Sequence, residues 1–218
     1  MAGSGTDDID VINNALSRIG GGELFSLDEE TDLAAQCNAI YRPVVSALIG
    51  RYPWSFASRT YRLDAVAPDA GNGYDAAAKV FSTGWRYGFY LPGEKLGLPH
   101  RVLANPRAPN RPLREFAIEE NKVFADVTPL WAKVPVWTAI GNWLPVFRLA
   151  AETLLAAHLA VPITHDKNFA ADLFELAQGD PRQSGIGGLV GQAISLDAMQ
   201  AGTQAAMTSD PLGDARMS

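Results

Sequence analysis

The sequence predicts a mainly α (α+β) fold: a helical bundle, a small inserted antiparallel β subdomain and an extended C-terminal tail. Three observations predict it. Apolar residues recur at helical spacing over 7–51 and again over 147–178. Between them, 58–136 breaks into short alternating runs punctuated by Pro, Gly and Asn. Beyond Arg182 only four residues are charged, and Gly, Ala, Gln, Ser and Thr dominate. The expected boundaries are 1–57 with 137–180 for the bundle, 58–136 for the insertion and 181–218 for the tail.

A first helix over 7–19 follows from Ile9, Ile12, Leu16 and Ile19, with Thr6 or Asp7 as cap and Gly20–Gly22 as stop. A second starts at Ser26 or Asp28 and buries Leu33, Cys37, Ile40, Tyr41, Val44, Val45 and Leu48. Pro43 should kink it or break it near Tyr41, since proline supplies no N–H to the helix ladder. Cys37 lies on the apolar stripe and reads as a core thiol. Trp54-Ser-Phe-Ala57 forms an aromatic turn, with Trp54 in the core; some of Trp131, Trp137 and Trp143 could anchor an interface.

In the insertion, Tyr61 to Ala65 and Trp85 to Leu91 read as strands, and 68–83 as a loop. Leu98 to Leu103 reads as a short helix with proline near its start. Residues 105–114 form a proline-rich basic loop, and 116–127 a hairpin turning at Glu120-Asn121. Helices resume with Phe147 to Leu159, a corner at Val161-Pro-Ile-Thr164, and a helix over 166–178 capped by Thr164. The two make an αα-hairpin. The segment 183–218 is too apolar for a solvated tail and too glycine-rich for a free helix. It is expected to order only on a partner, and truncation after Gln183 to leave a folded protein that fails to dock.

The chain has 218 residues, enough for one domain with its own core. Charged residues make up 19%, against about a quarter in most globular chains. Fewer charges leave less polar covering, which suits broad subunit contacts. A formal net charge of −6 argues against a generic nucleic-acid binder. One cysteine excludes an internal disulfide framework. His100, His158 and His165 have no zinc-site spacing, so no metal, cofactor or catalytic residue is expected. Neither Gly20–Gly22 nor Gly185–Gly191 has the lysine or the strand–helix setting of a phosphate loop. Glu119 and Glu120 are adjacent on an expected strand and so face opposite ways. The N-terminus lacks the apolar run of a signal peptide, and no window approaches 18 apolar residues, so no membrane span is expected.

One charge feature stands out. Arg101, Arg107, Arg111 and Arg114 fall within 14 residues that hold no acid. The loop is either simply solvated or touches an acidic protein surface or a DNA backbone, since arginine forks suit both.

Several motifs then occur in a telling order. They are Ile12-Asn-Asn-Ala-Leu-Ser-Arg-Ile-Gly20, Ser26-Leu-Asp-Glu-Glu-Thr-Asp-Leu-Ala-Ala-Gln-Cys37, Tyr41 and Arg51-Tyr-Pro-Trp-Ser-Phe-Ala57. Leu98-Pro-His-Arg-Val-Leu103 follows, then Ala150 to Pro162 with Ile163-Thr-His-Asp-Lys167, and finally Asp210-Pro-Leu-Gly-Asp-Ala-Arg216. Together they resemble the tail tubular protein A and head-to-tail adaptor family of tailed bacteriophages. The resemblance implies a non-enzymatic virion protein, assembled in the host bacterial cytoplasm, that forms a ring of typically twelve copies at the head–tail junction. Its implied partners are other copies of itself, the portal protein, the next tail or nozzle protein, and passing double-stranded DNA held without sequence specificity. On that footing the tail residues Leu189, Ile194, Leu196, Met199, Leu212 and Arg216 are candidate portal contacts. The four arginines are candidates for a tail, subunit or DNA-facing contact. A stopper or other head-completion protein of the same junction is the alternative, and a small helical ligand-binding protein or enzyme a more distant one.

Overall fold

A computed structural model describes residues 5–180 and 187–200. Five α-helices run through these residues. They are α1 (Gly5–Arg18), α2 (Asp32–Arg51), α3 (Pro145–Thr164), α4 (Lys167–Gln178) and α5 (Gly188–Gln200). The strands all lie between α2 and α3, so the protein is α+β with its sheets inserted into a helical bundle.

The bundle is organised around α3. α1, α2, α4 and α5 all pack on it. Its length explains why: Phe147, Ala150, Ala151, Leu154, Leu155, Leu159 and Ala160 are buried on more than one side. α3 is long and apolar enough to cross a membrane by length and composition, contrary to the reading of the sequence windows. Most of that window is buried against the other helices, which is also how the core helix of a globular protein looks.

Two hydrophobic clusters make most of the core. The larger joins Ile12, Leu16, Cys37, Val45, Ile49, Trp54, Phe147, Leu155 and Leu159 across the helices. The second joins Leu63, Phe89, Leu91, Val102, Val123, Leu130, Ala132 and Val134 inside the sheets.

The strands are β1 (Ser58–Arg62), β2 (Asp64–Ala65), β3 (Tyr74–Asp75), β4 (Val80–Phe81), β5 (Tyr87–Tyr90), β6 (Arg101–Leu103), β7 (Ala117–Glu119), β8 (Lys122–Ala125) and β9 (Trp131–Pro135). They form antiparallel sheets in the orders β1-β9-β6, β2-β5-β8-β7 and β3-β4. The β7–β8 hairpin turns on Glu120 and Asn121, whose φ values of 47° and 66° are those of a type I′ turn. That turn matches the twist of the flanking strands. It also takes Glu120 off the strand on which the sequence placed it.

Several other expectations are corrected. α2 begins at Asp32, where the Thr31 side chain accepts the Ala34 N–H, and not at Ser26 or Asp28. The preceding acids are already engaged: Glu29 Oε1 accepts the N–H groups of Phe25 and Ser26 at 2.7 and 2.8 Å, fixing a loop. α2 also runs unbroken past Pro43, because Pro43 and Ala39, whose carbonyl it leaves unpaired, both face solvent.

The stretch 68–83 carries the small β3-β4 hairpin. Leu98 to Leu103 is no helix: Val102 and Leu103 are buried as strand β6 against Ala132 and Trp131 of β9. Sheet burial of a β-branched pair position outweighed the proline signal. The αα-hairpin exists, but its corner lies later. α3 continues through Pro162 to Thr164, and His165 closes it in the left-handed region with its N–H on Val161 O. Asp166, not Thr164, caps α4 by accepting from the N–H groups of Asn168 and Phe169.

The last correction is the largest. Residues 188–200 are not an extended tail but helix α5, docked on α3 and α4 through Val190, Ala193 and Asp197. Docking needs backbone contact between α5 and the end of α4. Gly188 has φ +63°, and a Cβ there would stand 2.5 Å from Leu176 O and 2.7 Å from Gly179 N. Glycine is required at that corner for packing, so the glycine content read as a sign of weak order is part of the fold.

Candidate functional site

The turn 54–57 holds the molecule together, and each of its residues has a separate task. The Trp54 ring is fully buried, meets Phe147 of α3 edge-on at 4.7 Å, and donates its indole N–H to Leu48 O. Ser55 offers its backbone N–H and its hydroxyl to Asp197 of α5, the hydroxyl at 2.5 Å. Phe56 meets Phe147 edge-on at 4.9 Å. Ala57 O accepts the Val136 N–H, tying the bundle to the return from β9. Asp197 is 2% exposed, so its carboxylate leaves water for the Ser55 donors; charged hydrogen bonds of this kind offset that cost. The sequence reading missed this residue. A lone acid in an apolar helix was the available signal.

A second buried carboxylate fixes α1. Glu152 of α3 accepts from Asn14 Nδ2 at 2.9 Å and pairs with Arg148 at 3.0 Å and Arg18 at 3.4 Å. These contacts are structural, and they set the angle at which α1 lies on the bundle.

Burial moves several titrations. Desolvation pushes the Cys37 thiol up to about 11, as suits an inert core thiol. The Tyr41 hydroxyl is held well above its usual value by burial and by its hydrogen bond to Asp8. His100 is lowered by burial and by Lys133, and His158, edge-on to Phe174 at 4.8 Å, is lowered by burial. A lowered histidine disfavours protonation in the folded state. The stability it carries is complete above its ordinary value of 6.5 and falls as the pH drops from there towards the folded value. The thermal midpoint of His158→Phe is therefore expected to fall less than that of the wild type between about pH 7.5 and about pH 5. Parallel melting curves across that range would remove His158 from the account.

The four candidate arginines stay on one side of the β subdomain. Arg101 ends the row Thr60, Lys133, Arg101 across β1, β9 and β6. It donates to Pro109 O at 3.2 Å, which holds the loop 104–114 against β6. Arg107, Arg111 and Arg114 are exposed on that loop. Among the described residues, no carboxylate pairs with any of the four. Lys133 beside Arg101 is lowered chiefly by burial and further by that guanidinium, with Asp197 acting the other way.

The candidate portal contacts divide. Leu189 and Ile194 are half-buried and pack against the bundle core. Leu196 and Met199 are exposed, Met199 at 77%. Leu212 and Arg216 lie outside the described residues. Elsewhere, a cleft of about 610 Å³ between α1, the α1–α2 loop and α2 is lined by Asp8, Phe25, Asp28, Asn38, Tyr41 and Arg42 among others. No group of three His, Cys, Asp or Glu suited to a metal occurs among the described residues.

No protein-family model matches the chain, and a search of curated proteins found no match either.

Proposed function

We propose that this chain is a structural ring subunit at the head–tail junction of a tailed bacteriophage, docking on the portal, continuing the DNA channel and presenting a platform to the next tail protein. The observation that carries the reading is where the motifs behind the resemblance fall. Leu16 and Ile19 close α1 into the core, Tyr41 is buried in α2, and Trp54 to Ala57 form the turn that joins α2, α3, α5 and the sheets. The Ile163 to Lys167 motif forms the α3–α4 corner. These motifs thus mark structural corners of one fold, while Asp210 to Arg216 lies outside the described residues. The low charge content and the exposed apolar residues Leu176, Leu196 and Met199 on α4 and α5 further support a protein that works in contact with others.

Leu196 and Met199 remain proposed portal contacts, and the ring of twelve is carried by the resemblance alone. The test is the mass of the purified chain, first alone and then mixed with the portal ring of its phage. Joining a large portal complex is the expected result. A stable small oligomer that ignores the portal would overturn the reading.

A further inference from the structure

The chain carries two exposed surfaces of opposite charge, on different lobes, and each includes an exposed apolar side chain. The first is the α1–α2 connection. Between Arg18 and Arg42 there are five acids and no base. Glu23, Asp28 and Glu30 are exposed and have no ion pair among the described residues. Asp28 lines the cleft, together with Asp8, Arg42 and Phe25, which is 87% exposed, while Glu23 lines a separate hollow beside Gly20–Gly22. The second surface is the loop 104–114 with Arg107, Arg111 and Arg114, next to Leu98 at 67% exposure. Between Glu94 and Glu115 the chain has no acid.

We propose that the arginine loop of one copy docks on the α1–α2 cleft of a second copy. The inference rests on the ring reading above and names its subunit contact. The occupant is a second copy because the charges match: guanidiniums that pair with no carboxylate among the described residues meet a connection with five acids and no base, with Phe25 supplying an apolar anchor beside the cleft. An acid-rich connection would repel a nucleic acid, and the chain as a whole is acidic. The two surfaces differ, so the contact is head-to-tail. Each copy then offers a free cleft at one end and a free loop at the other, which closes into a ring if the rotation allows. The prolines in the loop limit the entropy lost on docking.

A charge swap tests this. One variant carries Arg107→Glu, Arg111→Glu and Arg114→Glu; the other carries Glu23→Arg, Asp28→Arg and Glu30→Arg. All six positions are on the surface, apart from the helix caps and the buried carboxylates. The readout is sedimentation equilibrium, with circular dichroism to check that each variant folds. The wild type should show mass rising with concentration, and its association should weaken about tenfold or more from about 0.05 M to about 0.5 M salt. Each variant alone should stay monomeric. Their equimolar mixture should associate again, because every contact then pairs opposite charges. A misfolded variant could not be rescued in this way.

Unchanged association of either variant, a wild type that stays monomeric at low salt, or a mixture that fails to associate would each overturn the contact. Duplex DNA binding that depends on the three arginines, without recovery in the mixture, would overturn it in favour of nucleic acid. Portal binding separates the two claims. Variants that still build the portal complex would sink the contact and leave the ring reading standing. Recovered association with no portal binding would do the reverse.

Discussion

Replacing Trp54 with alanine is expected to lower the stability of the whole bundle by about 3–5 kcal/mol, the usual cost of emptying a buried tryptophan site. For a chain of this size each kcal/mol moves the melting midpoint by roughly 2–4 °C, so a fall of about 10 °C is expected. The site cannot easily collapse. Tyr52, Phe56 and Phe147 surround the ring with centroids at 5.0, 5.7 and 4.7 Å, and aromatic walls of this kind are stiff. The lost indole N–H also strips Leu48 O of its partner near the end of α2. Trp54→Phe keeps a smaller ring in the site, loses the hydrogen bond and leaves only part of the cavity, so it should cost less than alanine, about 2–3 kcal/mol. Thermal melts of the two variants show how much of the loss tracks the volume emptied. An alanine variant that melts within a degree or two of the wild type would mean that the turn 54–57 does not hold the bundle together.

Most of the bundle was legible because its signals are local. The stripe Ile12, Leu16, Ile19, the Gly20 stop and the Tyr41 heptad face need nothing beyond 3.6-residue periodicity. The β7–β8 hairpin was legible for the same reason: Glu120-Asn121 tolerates the left-handed backbone that a two-residue turn needs. The errors share a cause. Leu98 to Leu103 has helix-like local chemistry, and only pairing with β9, some 30 positions on, makes it a strand. β9 itself went unrecognised because the tryptophans around it drew attention as surface anchors, whereas Ala132 and Val134 are buried and set its register. Pro43 and Pro162 were overweighted because a sequence does not say which face of a helix meets water.

The candidate surfaces were partly legible. The arginine loop could be read from charge alone, since nothing in its own segment neutralises it. Its complement could not be singled out in that way. The acids of 23–32 look like ordinary helix-start chemistry, but Glu29 instead accepts the Phe25 and Ser26 N–H groups and fixes the loop before α2. Only the fold shows that Glu23, Asp28 and Glu30 stay exposed with no ion pair among the described residues, Asp28 on the cleft wall. For α5 the sequence was actively misleading. Its glycines describe a poor isolated helix, and only the docked helix shows that its lone acid, Asp197, is buried.

Gly188→Val should therefore release α5 while leaving the rest of the bundle folded. The valine Cβ would sit within 2.8 Å of three backbone atoms of the α4 end, Leu176 O, Gly179 N and Ala177 O, none of which can turn aside like a flexible side chain. The φ of +63° adds strain for any β-branched residue. The loss is capped by what docking is worth, because the chain can escape the clash by undocking. Burial of Val190 and Ala193 and the Asp197–Ser55 bonds put that ceiling at roughly 3–6 kcal/mol. Amide exchange is the direct measurement: protection over 188–200 should collapse, while 145–178 stays protected apart from the α4 end. Asp197→Ala should give a milder version, because it removes the Ser55 bonds and leaves the backbone contact intact. Gly141→Ala is the control, since a Cβ there meets nothing within 4 Å. The same logic changes what truncation after Gln183 would do: it removes a core helix, so impaired portal docking in such a protein would report a damaged bundle as well as a missing contact. Full protection of α5 in Gly188→Val would show that the α4–α5 corner can open without loss, and the truncation would regain its simple meaning.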